Sequence, residues 1–350
     1  MNKTTEKKIM ITCPRSNAGG VYQFVSSIIP FLPENTQVLH RGSLKSDSPI
    51  TKIVRSISSI VVAIQKMIKH HPNLILVNSS LSKECLIRDG LIIRLARFFN
   101  IRPILIIHGF QVSALQFRGL LKASYFKAEM VFVLAKSFAD KLREAGYHGK
   151  VISQYNPVDH TLIRNMGNKE LTPRCSTFLF LARVEESKGI FIALDIFKMY
   201  KQNNPGAVML VAGTGGALEA AKVYAYKNGI EDLKFLGFVS GSEKEEAFRQ
   251  SDVMLFPTSH NEGLPIGVLE AMAAGLIILT RPIAGLVDLR TKIDFGGMTS
   301  SLDPLEYLSM IRNLENEDKI KVMKIRNREF ASANFHPQKI VDRILSEIDF

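Results

Sequence analysis

Tryptophan is absent from the 350 residues, and cysteine is rare. The three cysteines, Cys13, Cys85 and Cys175, are odd in number and far apart. This pattern indicates neither a disulfide framework nor a zinc knuckle. No apolar run reaches the roughly 18 residues of a membrane-spanning helix, and the run after the basic start is too short for a signal peptide. We therefore expect a cytoplasmic protein.

Acidic residues are scarce in the first half of the chain. Residues 1–160 contain 22 Lys and Arg against 9 Asp and Glu, a net charge of +13, whereas residues 161–350 contain 23 against 24. The basic excess predicts an acidic partner or surface for the first half alone. No nucleic-acid-binding motif accompanies the charge, so we expect no nucleic-acid partner.

The signatures of metal-dependent and hydrolytic chemistry are also missing. The sequence has no Asp-x-Asp motif and no His/Cys cluster at metal-ligand spacing. Metal-bridged diphosphate chemistry therefore lacks its usual carboxylates, and we expect no metal and no cofactor. A Ser–His–Asp hydrolase is disfavoured because no Gly-x-Ser-x-Gly elbow is present.

Short apolar segments alternate with helical patterns along the whole chain, and the alternation restarts after residue 175. Such alternation is typical of parallel sheets covered by helices on both faces. We predict an α/β fold with two doubly wound domains, residues 1–165 and 166–334. The predicted strands are 8–12, 74–77, 103–107, 131–134, 178–181, 208–212, 234–237, 253–256 and 276–279.

The segment HNEGLPIGVLEAMAAG places two carboxylates, Glu262 and Glu270, around an apolar stretch. It follows a predicted strand and reads as a loop and then a helix. Asn261 or Glu262 is expected to cap that helix, with Pro265 in its first turn and Gly275 as its stop. Free amides at the helix start favour a phosphate. Carboxylates on either side can accept hydrogen bonds from hydroxyls, so a nucleotide sugar fits the arrangement.

Two further segments follow predicted strands of the first half. Gly19 and Gly20 permit close approach of the backbone to a ligand, although a tight turn explains them equally well. His108 ends a buried strand, where an imidazole can bind a sugar hydroxyl. A packing role is the alternative for His108.

Two segments of the second half also lie where strands end. Arg183 and Lys188 share one strand-to-helix loop, and two cations can neutralise a leaving diphosphate without a metal. Solvated surface cations are the alternative. Gly213 lies in the turn VAGTGG, which is similar to nucleotide-binding turns but is equally explained as a backbone turn.

Taken together, these pieces resemble the family 4 retaining glycosyltransferases. The likeness covers about residues 8–290 and rests on Glu262-x7-Glu270 with ITCPRSNAGG, IIHGF, VISQYNPVD, LARVEESKG, VAGTGG and LGFVS, in that order. The resemblance implies the GT-B fold, in which two Rossmann-like domains face each other across a cleft. It also implies that a C-terminal helix, residues 335–350, crosses back onto the first domain.

The resemblance implies a role for each matching residue. Glu270 would bind the ribose hydroxyls and Glu262 the hydroxyls of the donor sugar, while His108 would contact the sugar near the reacting carbon. Arg183 and Lys188 would hold the diphosphate. Backbone groups would complete the donor site at Gly19, Gly20, Gly213, Val239, Gly263, Leu264 and Pro265.

Two departures from the family pattern stand out. Ala182 replaces a glycine that is common before the arginine, and residues 281–288 lack the usual glycine pair and later glutamate. The substrate contacts of that second loop are therefore open.

The expected function is metal-independent, retaining transfer of a sugar from a nucleoside-diphosphate sugar to a glycan or lipid-linked acceptor. A nucleotide-sugar epimerase and a non-catalytic nucleotide-sugar-binding protein are the alternatives.

Three basic segments of the first half mix cations with apolar residues, namely 52–69, 94–99 and 117–122. In this fold the N-terminal domain usually receives the acceptor, so its charge is expected to face something anionic. We expect a polyprenyl-diphosphate-linked or lipopolysaccharide-type acceptor and the inner membrane surface that carries it. The alternative is that these helices pack on the sheet with solvated Lys and Arg.

Overall fold

The computed structural model describes residues 8–16, 19–44, 46–260, 262–314 and 316–348. The chain forms two compact α/β units. Unit 1 comprises the residues up to Pro157, the segment Glu262–Leu264 and the residues from Pro337 onward. Unit 2 comprises residues 158–261 and 265–336. The sequence predicts the division at residues 165 and 166, and the contacts divide the chain at 157 and 158.

Unit 1 contains, in its described part, a six-stranded parallel sheet with the order β2-β1-β3-β4-β5-β6. Its strands are β1 (Ile9–Pro14), β2 (Gln37–Arg41), β3 (Leu74–Leu81), β4 (Arg102–Phe110), β5 (Met130–Val133) and β6 (Lys150–Ser153). Its helices are α1 (Gly20–Ile28), α2 (Pro49–His70), α3 (Lys83–Phe98), α4 (Arg118–Ala123), α5 (Lys136–Glu144) and α14 (Pro337–Ser346).

The connections of unit 1 determine which helices share a face of its sheet. The steps from β2 to β3 and from β3 to β4 run in the same direction across the sheet. Because such crossovers are right-handed, α2 and α3 lie on the same face, where they pack against each other. The step from β1 to β2 runs the other way, and α1 packs on α14. The apolar side chains Ile340, Val341 and Ile344 of α14 complete the core on that side.

Unit 2 contains, among the described residues, a second six-stranded parallel sheet with the order β12-β11-β10-β7-β8-β9. Its strands are β7 (Thr177–Leu181), β8 (Val208–Ala212), β9 (Leu233–Gly237), β10 (Val253–Phe256), β11 (Ile277–Thr280) and β12 (Gly296–Met298). Its helices are α6 (His160–Gly167), α7 (Ile190–Asn203), α8 (Leu218–Lys227), α9 (Gly241–Gln250), α10 (Ile266–Ala273), α11 (Ala284–Arg290), α12 (Pro304–Arg312) and α13 (Glu317–Asn334).

The prediction of an α/β chain with two doubly wound parallel sheets is confirmed. Each predicted strand is present within a few residues of its expected position, and three strands that were not predicted, β2, β6 and β12, complete the sheets. The three cysteines are free. Within the described ranges, no helix combines the length and the apolar character needed to cross a membrane.

Candidate functional site

The chain order of the strands in unit 2 reverses between β7 and β10, which are neighbours in the sheet. In open α/β sheets, ligands bind beyond the carboxyl ends of the strands at such a switch point. Arg183 and Lys188 lie in the loop after β7, and residues 257–260 and 262–265 belong to the loop after β10. The topology thus places the loop that carries Arg183 and Lys188 next to the loop that leads into α10.

Hydrogen bonds join these two loops directly. The carbonyl oxygen of Ser187 accepts hydrogen bonds from the backbone N–H of Ser259 at 2.9 Å and of His260 at 3.0 Å. It also accepts one from the hydroxyl of Thr258 at 3.1 Å. At Gly189, where φ is +82°, an added Cβ would lie 2.4 Å from the carbonyl oxygen of Pro257. The β7 loop is therefore held against the β10 loop at the residue that follows Lys188.

Gly213 lies in the turn after β8. The backbone of this turn packs against the backbone of the β7 loop. Val184 N–H donates to the carbonyl of Thr214 at 3.0 Å. Gly213 has a φ of +146°, and an added Cβ would lie 1.9 Å from the carbonyl oxygen of Ala182. This close packing requires glycine whether or not a nucleotide binds there. Val239, predicted to contact the nucleotide, is half-buried just beyond β9.

The two cations of the β7 loop differ in their surroundings. Arg183 is exposed, and its Nη1 lies 2.6 Å from Oε1 of Glu185. Lys188 is buried, with an exposed fraction of 6%. Surface solvation of both cations, the alternative reading of this segment, is therefore wrong for Lys188. A buried lysine and an exposed arginine in one loop can serve a polyanionic ligand, because each donates charge-assisted hydrogen bonds.

Helix α10 begins at the switch point. Its N-cap residue is Pro265, which has no side-chain capping hydrogen bond. The expectation that Glu262 caps this helix is wrong, because Glu262 lies three residues before the N-cap; Asn261 lies outside the described residues. Gly275, with a φ of +71°, follows the end of the helix as predicted.

Glu270 lies on the second turn of α10 and is buried, with an exposed fraction of 4%. The ammonium of Lys244, on α9, lies 2.6 Å from Oε1 of Glu270. A buried carboxyl group is stable only when it is paired and hydrogen-bonded, and Lys244 supplies that partner. Sequence reasoning missed Lys244, because the contact joins two helices across 26 positions.

The segment Glu262–Leu264 belongs to unit 1. The side-chain amide of Asn156 donates to the carbonyl of Leu264 at 2.6 Å. An added Cβ at Gly263 would lie 3.1 Å from the carbonyl oxygen of His108. Gly263 and Leu264 are buried and Glu262 is half-buried. Glu262, the first glutamate of the double-glutamate segment, therefore directly precedes Gly263, which packs on the backbone of His108.

His108 lies near the end of β4, and its Nε2 is 2.9 Å from Oδ1 of Asn78 on β3. The amide nitrogen of Asn78 donates to the carbonyl of Thr12 at 2.9 Å, which fixes the orientation of the amide. Nε2 of His108 must therefore carry the proton, since Oδ1 can only accept. Its Nδ1 is a buried acceptor with no hydrogen-bond partner among the described residues.

The environment of His108 keeps the imidazole neutral. Burial, together with the positive charge of Arg41, lowers the pKa of His108 to about 3. Arg41 itself is buried and pairs with Asp89 at 3.1 Å, and it donates to the backbone carbonyl of Asn78. The ring of Phe24 packs edge-on against the imidazole, with 4.5 Å between the ring centroids. At neutral pH, His108 can therefore accept a hydrogen bond from a hydroxyl through Nδ1.

Gly19 and Gly20 are exposed at the start of α1. Gly19 has a φ of +97°, and a Cβ at either glycine would meet no atom within 4 Å. Packing within the described part of the protein thus does not explain Gly20, in contrast to Gly213. Asn17 and Ala18 of the same predicted loop lie outside the described residues.

The predicted site residues divide between the two units. Unit 1 carries Gly19, Gly20, His108, Glu262, Gly263 and Leu264, and unit 2 carries Arg183, Lys188, Gly213, Val239, Pro265 and Glu270. In the described ranges, no group of three or more His, Cys, Asp or Glu side chains is placed to hold a metal ion. The contacts of Asn78, Asn156 and Lys244 were not visible in the sequence, because each is made with a residue distant along the chain.

Comparison with known proteins links unit 2 to a family. Residues 166–296 match the family of glycosyl transferases group 1. A phosphatidyl-myo-inositol mannosyltransferase of Mycobacterium tuberculosis is 32% identical over 135 residues, which are 37% of this chain and 33% of that protein. The amylovoran biosynthesis glycosyltransferase AmsK of Erwinia amylovora is 30% identical over 118 residues, or 32% and 29% of the two chains. The matches thus span about a third of each relative.

Solved structures resemble the chain over nearly its full length. The structure of Anabaena Alr3699/HepE in complex with UDP-glucose aligns with a TM-score of 0.72 at 16% identity, covering 97% of this chain and 100% of the other. The lipopolysaccharide outer core galactosyltransferase WaaB aligns with a TM-score of 0.68 at 15% identity, covering 97% and 99%. The chain has the GT-B fold, as the motif resemblance implied.

Proposed function

Because residues 166–296 match the glycosyl transferases group 1, we propose that the protein transfers a sugar from a nucleoside-diphosphate sugar to an acceptor hydroxyl. The observation that carries this proposal is the switch point of unit 2. There the Arg183–Lys188 loop, the uncapped start of α10 and the buried pair of Glu270 and Lys244 occur together. A polyanion flanked by hydroxyls is the ligand chemistry that suits cations, free amides and a carboxylate at one edge of a sheet.

We assign the donor contacts of unit 2 by chemistry. Glu270, oriented by Lys244, accepts hydrogen bonds from the two ribose hydroxyls through its remaining lone pairs. Arg183 and Lys188 neutralise the diphosphate, and the amides at the start of α10 face the same anion. Charge develops on the diphosphate as the glycosidic bond breaks, so the two cations stabilise the transition state more than the ground state.

We assign two sugar contacts to unit 1. Nδ1 of His108, an acceptor in the neutral tautomer, takes a hydrogen bond from a hydroxyl of the donor sugar. Glu262 accepts from another hydroxyl. A neutral imidazole suits this role because an oxocarbenium-like carbon develops positive charge nearby, and an imidazolium would repel it.

We propose a retaining, metal-independent reaction. The acceptor hydroxyl attacks the anomeric carbon on the face from which the diphosphate departs, and the leaving phosphate oxygen takes its proton. The new glycosidic bond then has the configuration of the donor bond. The two cations of the β7 loop supply the charge that a divalent metal supplies in other diphosphate chemistry. The acceptor is a glycan or lipid-linked glycan, and the enzyme works at the inner face of the cell membrane.

The test is a donor screen followed by product analysis. UDP-, GDP- and ADP-sugars are first ranked by thermal shift, because a ligand that binds the folded state raises the melting temperature. The best donor is then incubated with lipid-linked and soluble glycan acceptors, and NMR coupling constants report the anomeric configuration of the product. Conversion of the donor to an isomer without acceptor would indicate an epimerase. Binding without turnover across the acceptor panel would indicate a non-catalytic binder.

A further inference from the structure

Helix α2 turns its most apolar side to solvent. Ile50, Val54, Ile57, Val61 and Ile68 recur at spacings of four, three, four and seven positions, which is one stripe of an α-helix. Their exposed fractions lie between 48% and 75%. Ile53, on the same stripe, is 62% exposed. The opposite side, which packs on unit 1, is formed by the buried side chains of Ser59, Ala63 and Met67.

This arrangement reverses the usual pattern of a surface helix. A helix that only packs on a sheet buries its apolar stripe and exposes its polar side. Soluble proteins rarely leave large contiguous apolar patches exposed unless the patch binds something. Packing on the sheet therefore does not explain the outward stripe of α2. A binding partner for this stripe does.

Helix α3 extends the same surface. Ile87, Leu91 and Phe98 are exposed, the last to 79%, and Arg94 lies between them at the spacing of a single helical stripe. Since α2 and α3 are neighbours on one face of the sheet, their outward stripes form one layer. We call the outward side chains of α2 and α3 the α2–α3 face.

The charge around the α2–α3 face is mainly positive, with the exposed Glu84 at the start of α3 as the acidic exception. Residues 49–70 contain four Lys and Arg and no acidic residue, and residues 90–128 contain six and none. Within these segments Arg55 pairs with Asp47 at 3.2 Å and Lys66 donates to the carbonyl of Val38 at 3.0 Å. The exposed cations of these segments are Lys52 and Lys69 on α2, Arg94 and Arg97 on α3, and Arg118, Lys122 and Lys127 in and after α4.

We propose that the α2–α3 face docks on an anionic lipid bilayer, with the aliphatic stripe in the headgroup–acyl boundary and the cations on lipid phosphates. An apolar stripe with cations beside it is the composition of a helix that lies in the membrane interface. A second copy of this chain would bring two segments of net positive charge together, and that repulsion disfavours self-association through this face.

The membrane contact rests on the proposed function, because it gives the proposed glycosyltransferase the membrane as a partner. Its test does not require glycosyl transfer. Flotation is measured without donor, using vesicles of phosphatidylcholine alone or mixed with equal parts of phosphatidylglycerol. Each Lys or Arg near an anionic surface strengthens binding by about fivefold. We expect binding to the mixed vesicles at least about tenfold tighter than to neutral ones, weakening as salt is raised.

Two pairs of variants separate the apolar and the charged contributions. Ile53→Gln with Ile57→Gln should weaken vesicle binding at least about tenfold. Its matched control is Val223→Gln with Leu305→Gln, which removes two aliphatic side chains of similar exposure from unit 2. Arg94→Gln with Arg97→Gln should weaken binding to anionic vesicles about 25-fold and spare neutral ones. Its control in unit 2 is Lys319→Gln with Lys321→Gln, both exposed on α13.

The outcomes are distinct. Equal, negligible binding of the wild type to both kinds of vesicle overturns the proposal, and so does unchanged binding of the Ile53/Ile57 variant. A wild-type dimer in analytical ultracentrifugation that this variant makes monomeric, without vesicle binding, would assign the face to a second copy and also overturns it. Calorimetric donor binding in the same variants reports separately on the proposed function, because none of the four residues lies among the predicted donor contacts.

Discussion

Nε2 of His108 lies 2.9 Å from the side-chain oxygen of Asn78, and this contact fixes which imidazole nitrogen carries the proton. The amide of Asn78 cannot reverse without losing its hydrogen bond to Thr12. Asn78 is thus a positioning residue for the acceptor atom Nδ1. Buried polar networks specify orientation only when their members are paired, and Asn78 is paired on both ends of its amide.

We expect Asn78→Asp to raise the pKa of His108. A carboxylate in contact with the ring favours the imidazolium, since opposite charges at this distance stabilise the ionised form. The measurement is 15N NMR of the imidazole across pH, which reads both the tautomer and the titration. The wild type should show the Nε2–H tautomer, with the exposed His148 as the comparison signal. A wild-type spectrum of the Nδ1–H tautomer would contradict the assigned role of Asn78.

His108 should also make the protein sensitive to acid. Its pKa is lowered to about 3 in the folded state, whereas an unfolded imidazole titrates near 6.5. Between these values the unfolded chain binds a proton that the folded protein does not bind, so stability is lost as pH falls through this window. The loss is at most about 1.4 kcal/mol per pH unit.

His108→Gln removes this titration and keeps a polar side chain. We expect the difference between its free energies of unfolding at neutral pH and at pH about 5 to be smaller than that of the wild type. Urea unfolding at the two pH values measures it, and His148→Gln is the control for the loss of an exposed histidine. Parallel pH profiles of His108→Gln and the wild type would show that folding does not lower the pKa of His108.

Glu270→Gln should weaken donor binding by about 1 to 3 kcal/mol, because a neutral amide forms weaker hydrogen bonds with the ribose hydroxyls than a carboxylate. The same substitution leaves Lys244 without its anionic partner. Isothermal titration calorimetry with the best donor measures the affinity, and thermal unfolding shows that the variant is folded. Glu243→Gln, an exposed change on α9, is the matched control. Unchanged affinity in a folded Glu270 variant would remove this residue from the site.

Arg183→Ala should lower turnover by roughly 10²-fold, because the guanidinium stabilises charge that develops on the leaving diphosphate. Its side chain is exposed, so the free energy of unfolding should stay nearly constant. Steady-state rates with saturating donor measure the effect. Glu185→Gln breaks the same ion pair but keeps the guanidinium, and it should retain turnover. Equal losses of turnover in Arg183→Ala and Glu185→Gln would indicate that turnover depends on the ion pair and not on the guanidinium alone.

Chelation of divalent metals should leave the transferase reaction intact. Arg183 and Lys188 provide positive charge at the diphosphate without an ion. Initial rates are compared before and after incubation with EDTA, and then after adding Mg²⁺ or Mn²⁺. A loss in EDTA that either ion restores would show that the reaction needs a metal.

The strands that sequence analysis missed share a position in the fold. β2 and β6 are the two edges of the first sheet, and β12 is an edge of the second. Central strands of a parallel sheet are buried on both sides and read as apolar runs, as in β10, whereas edge strands need fewer apolar residues. Gln37–Arg41 and Gly296–Met298 contain no such run, so their pairing partners, and not their own composition, make them strands.

In the candidate site, too, local sequence patterns predict only those features that do not depend on distant partners. The sequence placed Arg183, Lys188 and Glu270 on a loop and a helix of the correct type, because glycines, a proline and apolar spacing mark those elements locally. It ended β3 at Val77, yet the strand continues through polar residues to Leu81. Asn78 is tolerated there only because distant atoms satisfy its amide. Partners separated by 30 to 66 positions leave no local trace.

Unit 1 is assembled from three separate stretches of chain, and this has a consequence for biosynthesis. Its core is closed by Ile340, Val341 and Ile344 of α14, which also donates through Arg343 to the carbonyl of Ser153 at 2.8 Å. A ribosome that has released residues 8–157 has therefore delivered six strands but not the helix that covers one side of them. The half translated first should be the half that finishes folding last, with apolar surface open to chaperones until residues 337–346 emerge.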